Sequence, residues 1–329
     1  MKKRIVSGIT ATGNLTLGNY IGSIKNLVIK QNEYDIFMFV ADLHGITLPI
    51  DPNELRENVR KQLATFIACG IDVNKTKLFK QSDIQGHTEM FYYLTTISNE
   101  GQLKRMTQFK DKLIKNNNKT EQIPLGLLVY PILMAGDILL YNAEGVIVGL
   151  DQKQHLELTR DLAIKLNSKY NLNFKIPEPI ISSFGSKIMA LKTPTKKMSK
   201  SDSDLNETIF LLDDPKVAKE KIMTSLTDSE NKVYYDKDKK PGISNLLTIL
   251  SVIKGITIEE CVNEFKNSNY KEFKKSVAEA VAELLETIQK KYYSLTDEDI
   301  QNALDKNRNK IQQEASLNLE KVMKGFGMR

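Results

Sequence analysis

Only two cysteines, Cys69 and Cys261, and not one tryptophan occur in 329 residues. Cysteines so far apart, without CxxC spacing, exclude a disulfide-stapled scaffold and a thiolate-held zinc or iron–sulfur centre, and each reads as a small buried hydrophobe. The missing indole leaves the protein nearly dark when excited beyond the tyrosine band. No apolar run approaches the roughly 18 residues of a membrane span, and few apolar residues follow the charged start MKKR. Neither a span nor a signal peptide is therefore expected, and the expected location is the cytoplasm. A concentrated basic tail is also lacking, which argues against DNA packaging. The net charge of +6 comes from 47 basic and 41 acidic residues spread along the chain. Such a surface reads first as solvated lysine, and second as a landing area for an anionic partner such as RNA.

What remains is ordinary globular material. Apolar residues make up 41% and charged residues 27%, so a folded chain is expected, and the length predicts two domains. Ile5–Ile9, Asp35–Val40, Lys77–Gln81 and Gly145–Val148 are apolar runs that predict short buried strands, each leading into a helix. Asn53–Gly70 carries Leu55, Val59, Leu63, Phe66 and Ile67 at helical spacing, with Gly70 as its stop. This alternation predicts an α/β fold, a Rossmann-like doubly wound parallel sheet with its ligand crevice at the strand carboxyl ends. Beyond about Ser201 strand-like runs nearly vanish. Val277, Val281, Leu284, Leu285, Ile288 and Tyr292 form one stripe, and Thr296–Asp299 resembles a capping box. The expected division is a catalytic domain over 1–205 and an all-helical domain over 206–329, whose last helix is free to pack back on the first. Lys115–Thr120 (KNNNKT) reads as an exposed loop.

Two segments carry phosphate chemistry in their residue types. Lys197-Met198-Ser199-Lys200-Ser201 sets two ammonium groups on one short loop, able to close over a triphosphate and neutralise departing pyrophosphate. Alone, it would be a solvated surface turn. Upstream, Gly13 and Gly18 permit close backbone approach before a helix expected to begin near Asn19, whose free N–H groups would face an anion. A third segment, Tyr130–Tyr141, is an apolar helix carrying one carboxylate, Asp137. A carboxylate there is costly unless it finds donors, and the plain reading is a capped or paired core acid. His44 falls at a strand end and reads as a crevice wall, with a satisfied core histidine as the alternative. His87 is expected to face solvent, and His155 and Arg160 to be helix-face and capping residues.

The order of these segments resembles class I aminoacyl-tRNA synthetases, in the form used by the bacterial tryptophanyl enzymes. Thr16-Leu17-Gly18-Asn19 is similar to the first class signature, with Thr16 and Asn19 where many members have histidine, and Lys197–Ser201 is similar to the second. The segment from Tyr130 resembles the tryptophan-pocket helix, in which the acid matching Asp137 accepts the indole N–H. A buried acceptor left unpaired by phenylalanine would discriminate more strongly than an apolar slot. The likeness spans nearly the whole chain, including Gln152–Asp161 and Lys240–Leu247.

The resemblance implies ATP contacts from Thr10, Ala11, Thr12, Gly18, Asn19, Gln108, Lys112, Gly149, Leu150, Asp151, Ile188 and the whole lysine loop. It implies tryptophan contacts from Asp137, Tyr130, Met134, Gln152, His44 and Val6. Lys197, Lys200, Thr16 and Asn19 are the residues implied in catalysis. Val6 and Thr10 depart from the family's usual aromatic and glutamine, which removes one pocket wall and one polar contact. The implied cofactors are ATP and Mg²⁺ carried on its phosphates, with no metal held by the protein. The implied partners are L-tryptophan, its cognate tRNA and a second copy of the chain. Competing readings are a tyrosyl enzyme, a small-molecule nucleotidyltransferase, which would not need the long helical region, and a non-catalytic RNA-binding relative.

Overall fold

The computed structural model describes residues 2–11, 13–115, 123–147, 149, 152–180, 187–199 and 204–328, without the side chains of Lys112 and Lys115. Five parallel strands form its sheet: β1 (Arg4–Thr10), β2 (Asp35–Ala41), β3 (Thr76–Lys80), β4 (Gly145–Ile147) and β5 (Glu178–Ile180). Their order is β3-β2-β1-β4-β5. The chain winds outward from β1 to β3, then crosses back to β4 beside β1. That reversal opens a crevice at the carboxyl ends of β1 and β4. β5 was not foreseen; it is a three-residue, Pro-containing edge strand whose Glu178 and Pro179 are exposed, so no buried apolar run betrays it.

Alternation along the strands supplies two cores. Ile5, Ile36, Met38, Val40 and Leu78 face one way, and Val6, Phe37, Phe39, Phe79 and Val146 face the other. Against the first face lie α1 (Leu17–Asn19), a π-helical turn (Tyr20–Ile24), α2 (Lys25–Lys30) and, after the short α3 (Asp42–Gly45), α4 (Pro52–Ala68). Asp51 caps α4 by accepting from Asn53 and Glu54, Pro52 occupies its first turn, and Gly70 follows at φ +102°. The helix expected near Asn19 begins two residues earlier, because the Thr16 side chain caps it. The second face is covered by α5 (Gly86–Thr96), α6 (Glu100–Lys104), α7 (Thr107–Lys115), α8 (Leu125–Leu139) and α9 (Lys153–Tyr170). Val148, most of Lys115–Thr120 and the end of the lysine loop lie outside the described residues.

The remaining helices are α10 (Pro215–Met223), α11 (Pro241–Lys254), α12 (Ile258–Phe265), α13 (Tyr270–Ser294) and α14 (Asp297–Gly325). Leu246, Leu250, Val277 and Val281 continue the first core, so the apolar interior runs unbroken from sheet to helices. α14 starts with the capping box read from the sequence and returns to the second face, burying Ile311, Ala315, Leu319 and Val322. Arg4 ties it down through Glu314 at 2.8 Å, and Asn318 donates to the Leu140 carbonyl at 3.0 Å. At the start of α11 the buried Lys240 ammonium lies 2.8 Å from Asp228, 3.0 Å from Glu230 and 2.7 Å from the Tyr270 hydroxyl. Among the described residues no single helix is long and apolar enough to cross a membrane.

Gly242, two residues past Lys240, has no room for a side chain, since an added Cβ would lie 2.1 Å from the Leu226 carbonyl oxygen. At Gly22 the same atom meets nothing within 4 Å. Gly242→Ala is expected to cost about 1–3 kcal/mol through backbone displacement, read as a fall of several degrees in the thermal midpoint. Gly22→Ala should not lower it. Equal midpoints for the two variants would show that the Leu226 turn yields freely.

Candidate active site

At the carboxyl ends of β1, β2 and β4 lies a cavity of about 270 Å³, and its walls follow from strand alternation. Val6, Gly8 and Thr10 point inward from β1, Phe39 and Ala41 from β2, and Val146 from β4. Gly8 is required by its neighbour: a Cβ there would lie 2.5 Å from the Phe39 ring. α8 lays Tyr130, Met134, Asp137 and Ile138 along the other side, while His44, Gln108, Gln152 and His155 complete the lining. Of the residues assigned to tryptophan from the sequence, Asp137, Tyr130, Met134, Gln152, His44 and Val6 all meet here. Thr10 and Gln108 join them from the ATP set.

Asp137 is 2% exposed, and three side chains from three separate elements converge on it. His44 approaches Oδ2 through Nε2 at 2.9 Å, Gln81 donates from Nε2 to Oδ1 at 2.6 Å, and His87 approaches Oδ1 through Nδ1 at 2.7 Å. Behind His87 stands Tyr141, its hydroxyl 2.8 Å from Nε2. Burial alone would raise the Asp137 pKa. Hydrogen bonds from His44 and His87, with their charge interactions, outweigh it and bring the group to about 2. Tyr141 moves the other way, pushed well above the usual phenol range by burial and by the Asp137 charge. An ionised carboxylate only accepts, and it offers about four lone-pair positions. Three are filled among the described residues, which leaves one on Oδ2, the oxygen shared with His44.

His87 corrects a sequence expectation. It is wholly buried rather than facing solvent, because Gly86 starts a helix whose first turn enters the second core. Gln81 and Tyr141 were also missed: each is a polar residue ending an apolar segment, and no local signal separates it from its neighbours. His155 is more than a helix-face residue. It is 2% exposed and lies 2.9 Å from the Tyr130 hydroxyl, which also donates to Gln108. Thr107 anchors the start of α7 by donating from its hydroxyl to Gln154 at 2.8 Å. Arg160 keeps the structural part read for it, donating to the Pro177 carbonyl at 2.8 Å.

The two signature segments meet each other in a second cluster beside the first core. Leu17 donates to the Ile209 carbonyl and Leu211 to that of Leu15, joining the first turn to the chain that follows the lysine loop. Gly18 sits against Ile188 and Met198, whose Cβ atoms lie 3.7 and 3.9 Å from where its own would be. Met198 donates to the Ile188 carbonyl at 2.9 Å, and Met189 is clamped at both backbone groups by Asn245 of α11. Thr208 accepts the task of holding Ser199, donating to its carbonyl at 2.9 Å, and buried Lys221 donates in turn to the Thr208 carbonyl. Lys197 is left exposed on this frame.

Thr16 differs from its expected role as a direct donor. It is 2% exposed, its hydroxyl donates to Asn19 Oδ1 at 3.0 Å, and it accepts the Asn19 N–H at 3.2 Å. The capping box consumes its proton and leaves Asn19 Nδ2 to donate elsewhere. Ala11 is fully buried, Ile188 is 2% exposed, and Gly149 is exposed ahead of α9. Thr12, Leu150, Asp151, Lys200 and Ser201, with the Lys112 side chain, lie outside the described residues. Among the described residues no group of three or more His, Cys, Asp or Glu side chains is placed to hold a metal ion.

Comparison with known proteins supports this fold. The family model described as tRNA synthetases class I (W and Y) matches residues 1–286. The tryptophan–tRNA ligase of Mycoplasmopsis pulmonis (strain UAB CTIP) is 52% identical, with 100% of this chain and 99% of that protein covered. Among solved structures, the tryptophanyl-tRNA synthetase of Mycoplasma pneumoniae superposes with a TM-score of 0.93 at 40% identity, covering 100% and 99% of the two chains. The Campylobacter jejuni tryptophanyl-tRNA synthetase, complexed with ADP and tryptophan, gives 0.80 at 30% identity, covering 98% and 99%.

A depressed carboxylate stabilises the fold above its unfolded pKa, and that contribution is lost as pH falls through its folded pKa. For Asp137 the window runs from the ordinary 3.8 down to about 2. Asp137→Asn should therefore lower the thermal midpoint by a constant amount between pH 5 and 8, reflecting about 3–5 kcal/mol for breaking a buried pair. The difference should shrink below about pH 4. A difference that does not change between pH 7 and 3 would mean that the acid is not held ionised.

Proposed function

The chain belongs to the class I tRNA synthetases for tryptophan and tyrosine, and we propose that its crevice charges tRNA by the route that follows. The activity is that of a tryptophan–tRNA ligase: it activates L-tryptophan with ATP and transfers it to tRNA, releasing AMP and pyrophosphate. The observation that carries the choice of amino acid is Asp137. It lies at the wall of the β1–β4 cavity, ionised, with one acceptor position left for an indole N–H. Met134 and Val6 supply apolar walls for the ring, and the polar group of Tyr130 and Gln152 at the same cavity suits the α-ammonium.

In the first step a tryptophan carboxylate oxygen attacks the α-phosphorus in line. The bond to the bridging oxygen breaks, and the electron pair leaves with pyrophosphate. No enzyme nucleophile is needed, so catalysis is positioning plus charge stabilisation. Lys197 and Lys200 offset the charge on the departing group, and Met198, Ser199 and Ser201 join them in contacting ATP. Asn19 donates to the nucleotide from the side chain that Thr16 orients, with Gly18 allowing close approach. Thr10, Ala11, Thr12, Gln108, Lys112, Gly149, Leu150, Asp151 and Ile188 complete the nucleotide surface. Mg²⁺ would enter with ATP as part of the substrate and offset phosphate charge. In the second step the terminal ribose hydroxyl of tRNA attacks the anhydride carbonyl, and AMP departs.

The same reading gives residues 1–205 the chemistry and residues 206–329 the anticodon, read by stacking and hydrogen bonds on unpaired bases. The all-helical run from α10 to α14 supports it. A cytoplasmic homodimer completes the proposal.

Because the chain contains no tryptophan, emission excited beyond the tyrosine band reports only the added amino acid. Mixing with tryptophan should shift that emission, and Asp137→Ala should abolish the shift. Lys197→Ala should leave the shift intact while slowing tryptophan-dependent ATP–pyrophosphate exchange about 100-fold, the usual effect of deleting one charge-stabilising donor. Exchange driven by tyrosine but not by tryptophan would overturn the assignment.

A further inference from the structure

His87, Tyr141 and Gln81 do not line the cavity, yet all three belong to the network around the acid that does. A carboxylate held by one donor turns readily about its terminal torsion, which is broad. Here Oδ1 takes Gln81 and His87 while Oδ2 takes His44, so the carboxylate plane is pinned from three elements. The Gln81 amide cannot be reversed, since its oxygen would then face a carboxylate oxygen at 2.6 Å. Facing an acceptor-only carboxylate, His87 Nδ1 carries a proton, and Nε2 shares a hydrogen bond with the Tyr141 hydroxyl at 2.8 Å. Aromatic packing keeps the pair rigid: Tyr141 stacks on Phe37 at 4.5 Å, and the Phe39 and Phe79 rings lie 5.5 and 6.0 Å from His87.

We propose that His87, oriented by Tyr141, is a specificity-determining positioning residue. By filling Oδ1 it leaves the free lone pair of Asp137 on Oδ2, aimed into the cavity, and so selects an amino acid with a ring N–H over an isostere without one. The inference rests on the reading that Asp137 receives the indole N–H. His44 also donates to Asp137, but it lines the cavity and would touch the substrate directly. His87 stands outside the cavity and reaches it through the acid and through Phe39, and only the acid distinguishes a ring N–H from its isostere.

The test compares kcat/KM in pyrophosphate exchange for tryptophan and for 3-benzothienylalanine, in which sulfur replaces the ring N–H. One hydrogen bond to a buried charge predicts that the wild-type chain prefers tryptophan about 10²-fold. His87→Leu should cut that ratio at least tenfold, mainly through a higher KM for tryptophan, with the KM for ATP unchanged. His87→Asn, which returns an N–H donor near the position of Nδ1, should restore most of it. Tyr141→Phe should move the ratio the same way by about threefold, and it decides the matter if His87→Leu does not fold. Equal loss on both amino acids in His87→Leu, or in Tyr141→Phe where that variant must stand in, would make the relay purely structural and overturn the proposal. A wild-type ratio that survives Asp137→Ala would instead overturn the underlying contact between Asp137 and the indole.

Discussion

A buried carboxylate is the constraint on which the crevice between β1 and β4 depends. Left alone, Asp137 would take up a proton or unfold its helix. It stays ionised because α3, the turn after β3 and α5 each bring a donor to it. Those elements are thereby fixed relative to α8, and the cavity keeps its shape before any ligand arrives. The interaction that costs most in isolation becomes, once satisfied, the one that orders the site.

The frame around the two signature segments is organised differently. Thr16 and Asn19 close on each other, Gly18 brings the first helical turn against Ile188 and Met198, and Asn245 of α11 clamps the backbone of Met189. Backbone pairing between Leu15–Leu17 and Ile209–Leu211 makes the two signature segments one structural piece. The lysine loop thus springs from a frame shared by the sheet and the helical region. In the proposed reaction, an exposed Lys197 on a buried frame suits a group that reaches a polyphosphate and lets its product go.

Much of this was legible in the chain. Alternating apolar runs located four of the five strands within a residue or two, since buried parallel strands must be apolar and must be punctuated. β5 escaped because three residues at a sheet edge need no apolar run. Asp137 stood out because a lone acid in a long apolar helix needs an explanation. Its partners did not stand out. Gln81 and His87 sit 56 and 50 residues away, and nothing in their neighbourhoods marks them as inward-facing. The capping box of Thr16 hid a second fact: a hydroxyl suited to a ligand was already spent on its own helix.

Residue order alone settled the alternation of strand and helix, the two signature loops, the family likeness and the acid that marks the pocket. These depend on local periodicity and on spacing, which a linear chain records. Which histidine is buried, which hydroxyl is spent and which carboxylate lone pair stays open were decided by tertiary structure. Each depends on groups brought together from distant elements, and hydrogen-bond satisfaction in a low-dielectric interior is a property of that assembly.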